Sequence, residues 1–352
     1  MKPNYSDIPS VFVVLATWNG GKYVAAQIES ILAQTESDWT LLIRDDGSID
    51  ETPSILANYG ARDQRIELLQ DARGRLGPAQ SFGVLIRTAL DRGADYVCLA
   101  DQDDVWDPSK VADQLQQMLE TEQEHGVDCP ALIYSDMVVT DHRLEILQPS
   151  FNQVEKPPVD AEQFLRGLLT RNYVPGCTIM VNRALLQFSL PLPLIEMMHD
   201  HWLTLCAAST GVVRCIQRPL LQYRRHGDCA TPTGLNRSSL FAMLRRLCQG
   251  EPLSTEVLKR RWASIEAARI ILQRLSPHLG RSTLLLDGFC RAFLPGTTVI
   301  QRVSMLRRLG LPVGGWFAKS LVYYIQICCL KTCVENAGNL EEKTEPQVRT
   351  VA

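Results

Sequence analysis

The sequence lacks most of the signatures that would disclose a chemistry at once. It has no CxxC pair and no repeated Cys/His spacing, so its 11 cysteines, odd in number and scattered, read as reduced, mostly buried thiols. A zinc site and a disulfide framework are both disfavoured by that pattern. GxGxxG and GxxxxGK[ST] are missing, which removes the support for a dinucleotide fingerprint or a P-loop. The opening MKPNYSDIPS has neither a basic n-region nor an apolar h-region, so secretion is not expected. No internal repeat and no low-complexity tract occurs. Uninterrupted hydrophobic runs of membrane-span length are also scarce. The one candidate, Leu311 to Leu330, opens on Pro312-Val313-Gly314-Gly315 and carries Lys319 and Gln326, as an interfacial or packed helix does more readily than a span.

What remains is a 352-residue chain, 45% hydrophobic and 21% charged, which excludes disordered and collagen-like classes. Its length suits one large domain plus an appendage. The net charge of −3 hides an asymmetry. Residues 1–235 hold 19 Lys+Arg against 31 Asp+Glu, whereas residues 236–310 hold 13 against 4. An acidic body therefore carries a basic arm, and the expected division is a catalytic domain over 1–235, a helical basic extension over 236–335 and a tail over 336–352.

The first half alternates strand and helix signals. Val11–Ala16 is a continuous apolar run, followed by Val24, Ile28, Ile31 and Leu32 at helical spacing. Thr40–Ile43, Ile66–Leu69, Tyr96–Ala100 and Ala131–Ser135 read as further strands. Helices between them open at Thr52-Pro53, Pro78 and Asp107-Pro108. Such alternation predicts an α/β fold with a mostly parallel sheet covered by helices, whose ligands bind outside the carboxyl ends of the strands.

Three of those strand ends are unusually polar. Thr17-Trp18-Asn19-Gly20-Gly21 reads as a tight turn or as a ligand loop. In Asp45-Asp46-Gly47-Ser48-Ile49-Asp50, Gly-Ser makes a turn and Asp50 is a candidate cap for the next helix. Asp101-Gln102-Asp103-Asp104 is harder to read as scaffold. Its three carboxylates repel one another unless a cation or hydrogen-bond donors compensate, and a hard divalent cation takes such oxygen ligands. In the second half, His199-Asp200-His201 offers metal-binding side chains, but adjacent helical residues point in different directions, so a three-ligand site from that run is not expected.

Taken in order, Thr17-Trp18-Asn19-Gly20, Asp45 to Asp50, Ala100 to Trp106, Gly176-Cys177-Thr178, His199 to Trp202 and Tyr223-Arg224-Arg225-His226-Gly227 resemble the family 2 glycosyltransferases. The likeness is to their rhamnosyltransferase-like bacterial members and covers about residues 10–230. It implies a GT-A type nucleotide-diphospho-sugar transferase fold, an inverting reaction and a Mg2+ or Mn2+ ion. By position it implies that Asp46, Thr17 and Asn19 line the donor nucleoside pocket, that Asp101 and Asp103 form the DxD pair, and that Asp103, with His226, meets the metal. Asp200 matches the catalytic base, and Gly176, Cys177 and Trp202 border the acceptor. Many members have an acid before the base where this chain has His199. The Gln-x-x-Arg-Trp signature of processive synthases is absent, which favours transfer of single sugars.

The expected reaction is transfer of a sugar, L-rhamnose from dTDP-rhamnose, to a cell-surface polysaccharide or lipid-linked glycan. Alternatives are a catalytically silent assembly partner of the same fold and a sugar-phosphate nucleotidyltransferase. The latter needs a Gly-rich basic loop after the first strand, which Thr17 to Gly21 is not. The basic arm reads either as a solvated helical face or as a foot on an anionic membrane surface. The second reading implies a cytoplasmic protein peripheral at the inner face of the membrane. Nucleic acid is not an expected partner, because the arm has few aromatics and the body is acidic.

Overall fold

The computed structural model describes residues 9–227, 255–294 and 296–311. The expected interfacial stretch beyond Leu311, residues 228–254 with the start of the arm, and the tail lie outside the described residues.

The apolar run at the start forms β1 (Val11–Thr17), and its alternate side chains enter two different cores. Val11, Val13 and Leu15 face one, Phe12 and Val14 the other, which is why the run is apolar throughout instead of alternating. After α1 (Val24–Leu32) come β2 (Trp39–Asp45), α2 (Thr52–Arg62), β3 (Ile66–Leu68), α3 (Pro78–Asp91) and β4 (Tyr96–Ala100). These four strands pair in parallel in the order β3-β2-β1-β4. The chain winds outward from β1 to β3 and then crosses back to β4. That reversal puts the carboxyl ends of β1 and β4 side by side, the place where an open α/β sheet leaves a crevice.

Beyond β4 the topology departs from simple alternation. β5 (Val105–Trp106) and α4 (Lys110–His125) lead to β6 (Ala131–Thr140), twice the expected length, which pairs antiparallel with β7 (Ile146–Gln148). After α5 (Phe151–Glu155) and α6 (Ala161–Leu168), β8 (Ile179–Asn182) enters between β4 and β6, antiparallel to both. Asn182 anchors it: its Oδ1 accepts from the N–H groups of Ala131 and Leu185 at 2.9 and 3.0 Å, and its Nδ2 donates to Cys129 O and Glu122 Oε1. α7 (Arg183–Ser189), α8 (His199–Thr210) and β9 (Val212–Arg224) follow. β9 is parallel to β6, and β5 closes the edge antiparallel to β9.

The described part of the arm forms α9 (Thr255–Leu275), α10 (Ser282–Arg291) and α11 (Val299–Arg308). Their Ile265, Ile271, Phe289 and Leu306 belong to the same hydrophobic cluster as Phe82 and Leu203 of the α/β body. Part of the arm's positive charge is spent on that union. Arg261 donates to Thr170 O and Arg274 to Pro191 O at 2.8 Å, while Arg302 is buried within the arm with its Nε on Ala292 O.

Candidate active site

The crevice at the ends of β1 and β4 is a cavity of about 500 Å³, and its walls include Thr17, Asp46, Asp101, Asp103, Gly176 and Asp200. Gln102 stitches two of its loops together. Its Oε1 accepts from Thr17 Oγ1 at 2.6 Å and from the Trp18 N–H at 2.9 Å, so the turn after β1 and the acidic segment after β4 hold one geometry. Sequence reading passed over Gln102 because it sits between more conspicuous acids. At the mouth, Trp18 is half exposed and the Arg75 guanidinium lies 3.8 Å over its ring.

Asp46 is held from all sides. Its carboxylate accepts from the Leu76 and Gly77 N–H groups, both at 2.7 Å, and from Arg44. Arg44 is 1% exposed and also reaches Asp71, Ser81 Oγ and Gly74 O. Burial pushes the Asp46 pKa up, but the donors from Leu76, Arg44 and Gly77 outweigh it and hold the carboxyl below its ordinary range. Gly77 takes φ +78°, a left-handed conformation that aims its N–H at Asp46 at no steric cost. The neighbouring acids serve the turn: Asp45 accepts from the Ser48 N–H, and Asp50 accepts from Thr52 and the Gly21 N–H.

The acids after β4 are treated differently. Burial, then the charges of Asp103 and Asp200, push the Asp101 pKa up to about 7. Asp103 Oδ2 lies 2.7 Å from His226 Nε2, and the His226 ring rests 4.9 Å from that of Tyr23. Asp104 turns the other way. It is fully buried, accepts the Arg224 N–H at 3.2 Å, and its Oδ2 has no hydrogen-bond partner among the described residues. Carboxylate oxygens of Asp101 and Asp104 and the Cys177 sulfur come within 4.8 Å of one another. That group is a poor cage for a hard cation, because burial keeps the Cys177 thiol protonated and neither Cys177 nor Asp104 lines the cavity. Asp101 and Asp103 do line the cavity and offer the oxygen ligands that a hard cation takes, whereas His226 does not line it and instead meets Asp103.

Across the cavity, α8 presents Asp200 in its first turn. Its Oδ2 accepts the Gly176 N–H at 3.1 Å and its Oδ1 the His201 N–H, while burial lifts its pKa to about 6. The flanking histidines diverge as expected for helical neighbours. His201 Nε2 meets Leu168 O at 2.7 Å, whereas His199 stacks on Phe82 with ring centroids 3.9 Å apart.

Four expected site residues, Asn19, Cys177, Trp202 and His226, do not line the cavity. Asn19 Oδ1 accepts the Ile49 N–H at 2.9 Å, joining the turns after β1 and β2. Trp202 is 1% exposed, with its indole N–H on Ser189 O at 2.8 Å, and so belongs to the core. Cys177 is buried beneath the acids, and only its neighbour Gly176 reaches the cavity. For Trp202 and Cys177 the reason is that sequence neighbours of a site residue are not its spatial neighbours, because successive side chains point apart.

The model of the family "Glycosyl transferase family 2" matches residues 12–187, half of the chain. An uncharacterized glycosyltransferase of Nostoc sp. is 26% identical over 229 residues, covering 62% of this chain and 65%, just under two thirds, of the relative. The dTDP-rhamnosyl transferase RfbG of Shigella flexneri is 32% identical over 98 residues, 28% of this chain and 34% of that protein. The mannosyltransferase PcManGT of Pyrobaculum calidifontis, solved with GDP-Man and Mn2+, shares the fold with a TM-score of 0.51 at 14% identity, covering 97% of this chain and 89% of that one. The fold is of the GT-A type, and the chain belongs to glycosyl transferase family 2.

Proposed function

We propose that this glycosyltransferase moves one sugar from a nucleotide-diphospho-sugar to an acceptor hydroxyl by a single displacement with inversion. The observation that carries the reading is that Asp200 and the Asp101/Asp103 pair line one cavity, close enough for the charge of Asp200 to raise the pKa of Asp101. A carboxylate with a pKa of about 6 is largely ionised at neutral pH yet basic enough to take a proton. Asp200 receives the acceptor hydroxyl proton as the new bond to the anomeric carbon forms and the bond to the diphosphate oxygen breaks. One base suffices for this, unlike the paired carboxylates of glycosidases.

Asp103 would hold Mg2+ or Mn2+ with Asp101 beside it, and the cation would neutralise charge on the departing diphosphate. Thr17 and Asp46 serve the nucleoside end, where Asp46 fixes the Leu76–Gly77 backbone against the donor. The similarity to a dTDP-rhamnosyl transferase supports dTDP-L-rhamnose as donor. The acceptor in this reading is a cell-surface polysaccharide or lipid-linked glycan. The basic residues 236–310 support docking on the anionic inner leaflet of the cytoplasmic membrane. Among the described residues no helix is long and apolar enough to cross a membrane.

Thermal stabilisation by dTDP-rhamnose, UDP-glucose and GDP-mannose, each with and without Mn2+, tests the donor and metal reading. One donor at a hundredfold excess over its Kd should add about 2.7 kcal/mol of stability, only with the ion present. Stabilisation by none of them with Mn2+ would remove the proposal. Flotation with anionic liposomes tests the membrane reading, which fails if nothing floats at low salt.

A further inference from the structure

His199 is buried to 3% exposure in the cavity wall, and neither of its ring nitrogens has a hydrogen-bond partner among the described residues. Burial drives its pKa down to about 3, so the ring is neutral and carries one donor and one acceptor nitrogen. Buried polar groups are nearly always paired, and an imidazole left unmatched on both sides is an expensive way to fill a core. Phenylalanine or leucine would fill the same volume against Phe82 without that cost.

The surroundings say where the missing partner enters. One face of the ring is covered by Phe82, at a centroid distance of 3.9 Å. Its Nε2 looks onto the notch left by Gly176, which has no side chain. A Cβ on residue 176 would come 3.0 Å from His199 Nε2, 3.4 Å from Asp200 Cβ and 3.8 Å from Asp200 Oδ2. Nε2 and the carboxylate of the proposed base therefore border one small space on the cavity wall.

We propose that His199 is a specificity-determining residue that hydrogen-bonds, through its neutral imidazole, a sugar hydroxyl brought beside Asp200. The inference rests on the sugar-transfer reading above and adds to it the group that reads the sugar. The hydroxyl belongs to the transferred sugar or to the acceptor, and both are sugars with the same chemistry. An acid at this position would bring a second negative charge next to Asp200. A neutral ring reads a hydroxyl without that repulsion.

The test compares wild type with His199→Phe, which keeps the stack on Phe82 and removes both nitrogens, and His199→Gln, which restores one donor and one acceptor. KM for donor is read from slow donor hydrolysis without acceptor, using whichever nucleotide-sugar stabilises the wild type. KM for acceptor is read from transfer to a short-chain lipid diphosphate sugar. His199→Phe should raise one of these KM values 10- to 100-fold while binding of the bare nucleoside diphosphate stays within twofold, and His199→Gln should recover part of the loss. Which KM moves identifies the sugar being read. Both KM values unchanged in a folded His199→Phe enzyme would overturn the inference, with wild-type transfer still intact. If the variants fail to fold, the ¹⁵N resonances of His199 in the wild type decide. They should shift on adding the nucleotide-sugar or the acceptor with Mg2+ but not on adding the nucleoside diphosphate, and no shift with either sugar overturns the inference. Failure of the wild type to turn over any donor would instead strike the function reading itself.

Discussion

Asp46 at the end of β2 and Asp101 at the end of β4 flank the same strand, β1, and face the same cavity, yet the protein treats their charges in opposite ways. Around Asp46 the chain supplies its own compensation: a buried arginine, two backbone N–H groups and a second acid, Asp71, on the far side of that arginine. Around Asp101 it supplies more acid, in Asp103, Asp104 and Asp200, while the Arg75 guanidinium lies over Trp18 at the cavity mouth. Lys110 is fully buried with its Nζ on Gln114 Oε1 and over the Trp106 ring. A compensated carboxylate holds architecture. An uncompensated cluster is left for something that arrives, in the proposed reaction a cation and a substrate proton.

The largest effect expected on the uncompensated side comes from Asp200→Asn. Turnover should fall by about 10²- to 10⁴-fold, the usual contribution of a positioned base, while donor affinity is retained. The same variant should be more stable than wild type at pH 7, because an ionised carboxylate is removed from a site that disfavours it. Wild-type turnover in Asp200→Asn would move the base elsewhere and undo the comparison.

On the compensated side, Arg44→Met should act on stability first. It leaves Asp46 and Asp71 buried without their shared cation, a loss of about 3–5 kcal/mol for a broken buried pair. Adding Asp71→Asn to Arg44→Met should recover part of the loss in a denaturant titration, since one of the two stranded charges is then gone. No recovery would mean that Arg44 matters through its hydrogen bonds to Gly74 O and Ser81 and not through charge.

Much of this contrast was legible in the sequence, but unevenly. The strands β1, β2 and β4 announce themselves as apolar runs because both faces of each are buried, and three acids directly after the last of them could not pass for scaffold. Arg44 was invisible. A single arginine near the end of an apolar run reads as a strand terminus, and its partners Asp71, Gly74 and Ser81 are 27 to 37 residues away. β8 was missed for a similar reason, since four apolar residues carry no direction and its antiparallel entry is fixed by Asn182 reaching Ala131 across 51 residues. In the sequence His199 stands out as part of a His-Asp-His run and as a departure from the family's usual acid. Its empty hydrogen-bonding positions exist only in three dimensions.

The smallest effect sharpens the comparison most, because pH pulls the two sides in opposite directions. Asp46 has a folded-state pKa below its unfolded value near 3.8, so the stability it contributes is present above that value and is lost as pH falls through the folded pKa. Above about pH 5 this side has no further gain to give. Asp200 and Asp101 have folded pKa values raised to about 6 and about 7, so the folded state binds their protons more tightly than the unfolded chain does. Their contribution is fully present below pH 4 and is lost as pH climbs through 6 and 7. Between pH 5 and 7.5, without divalent cation, wild-type stability should therefore decline, by on the order of 1–3 kcal/mol at about 1.4 kcal/mol per pKa unit after discounting for partial solvation. Over the same interval kcat/KM should rise toward a plateau above pH 6 as Asp200 ionises. Saturating Mn2+ should flatten the stability decline by favouring ionised Asp101, and Asp200→Asn should remove its lower part, near pH 5 to 6. Chemical denaturation at half-unit pH steps resolves both. A stability that rises with pH across this range would show the acids after β4 to be compensated after all.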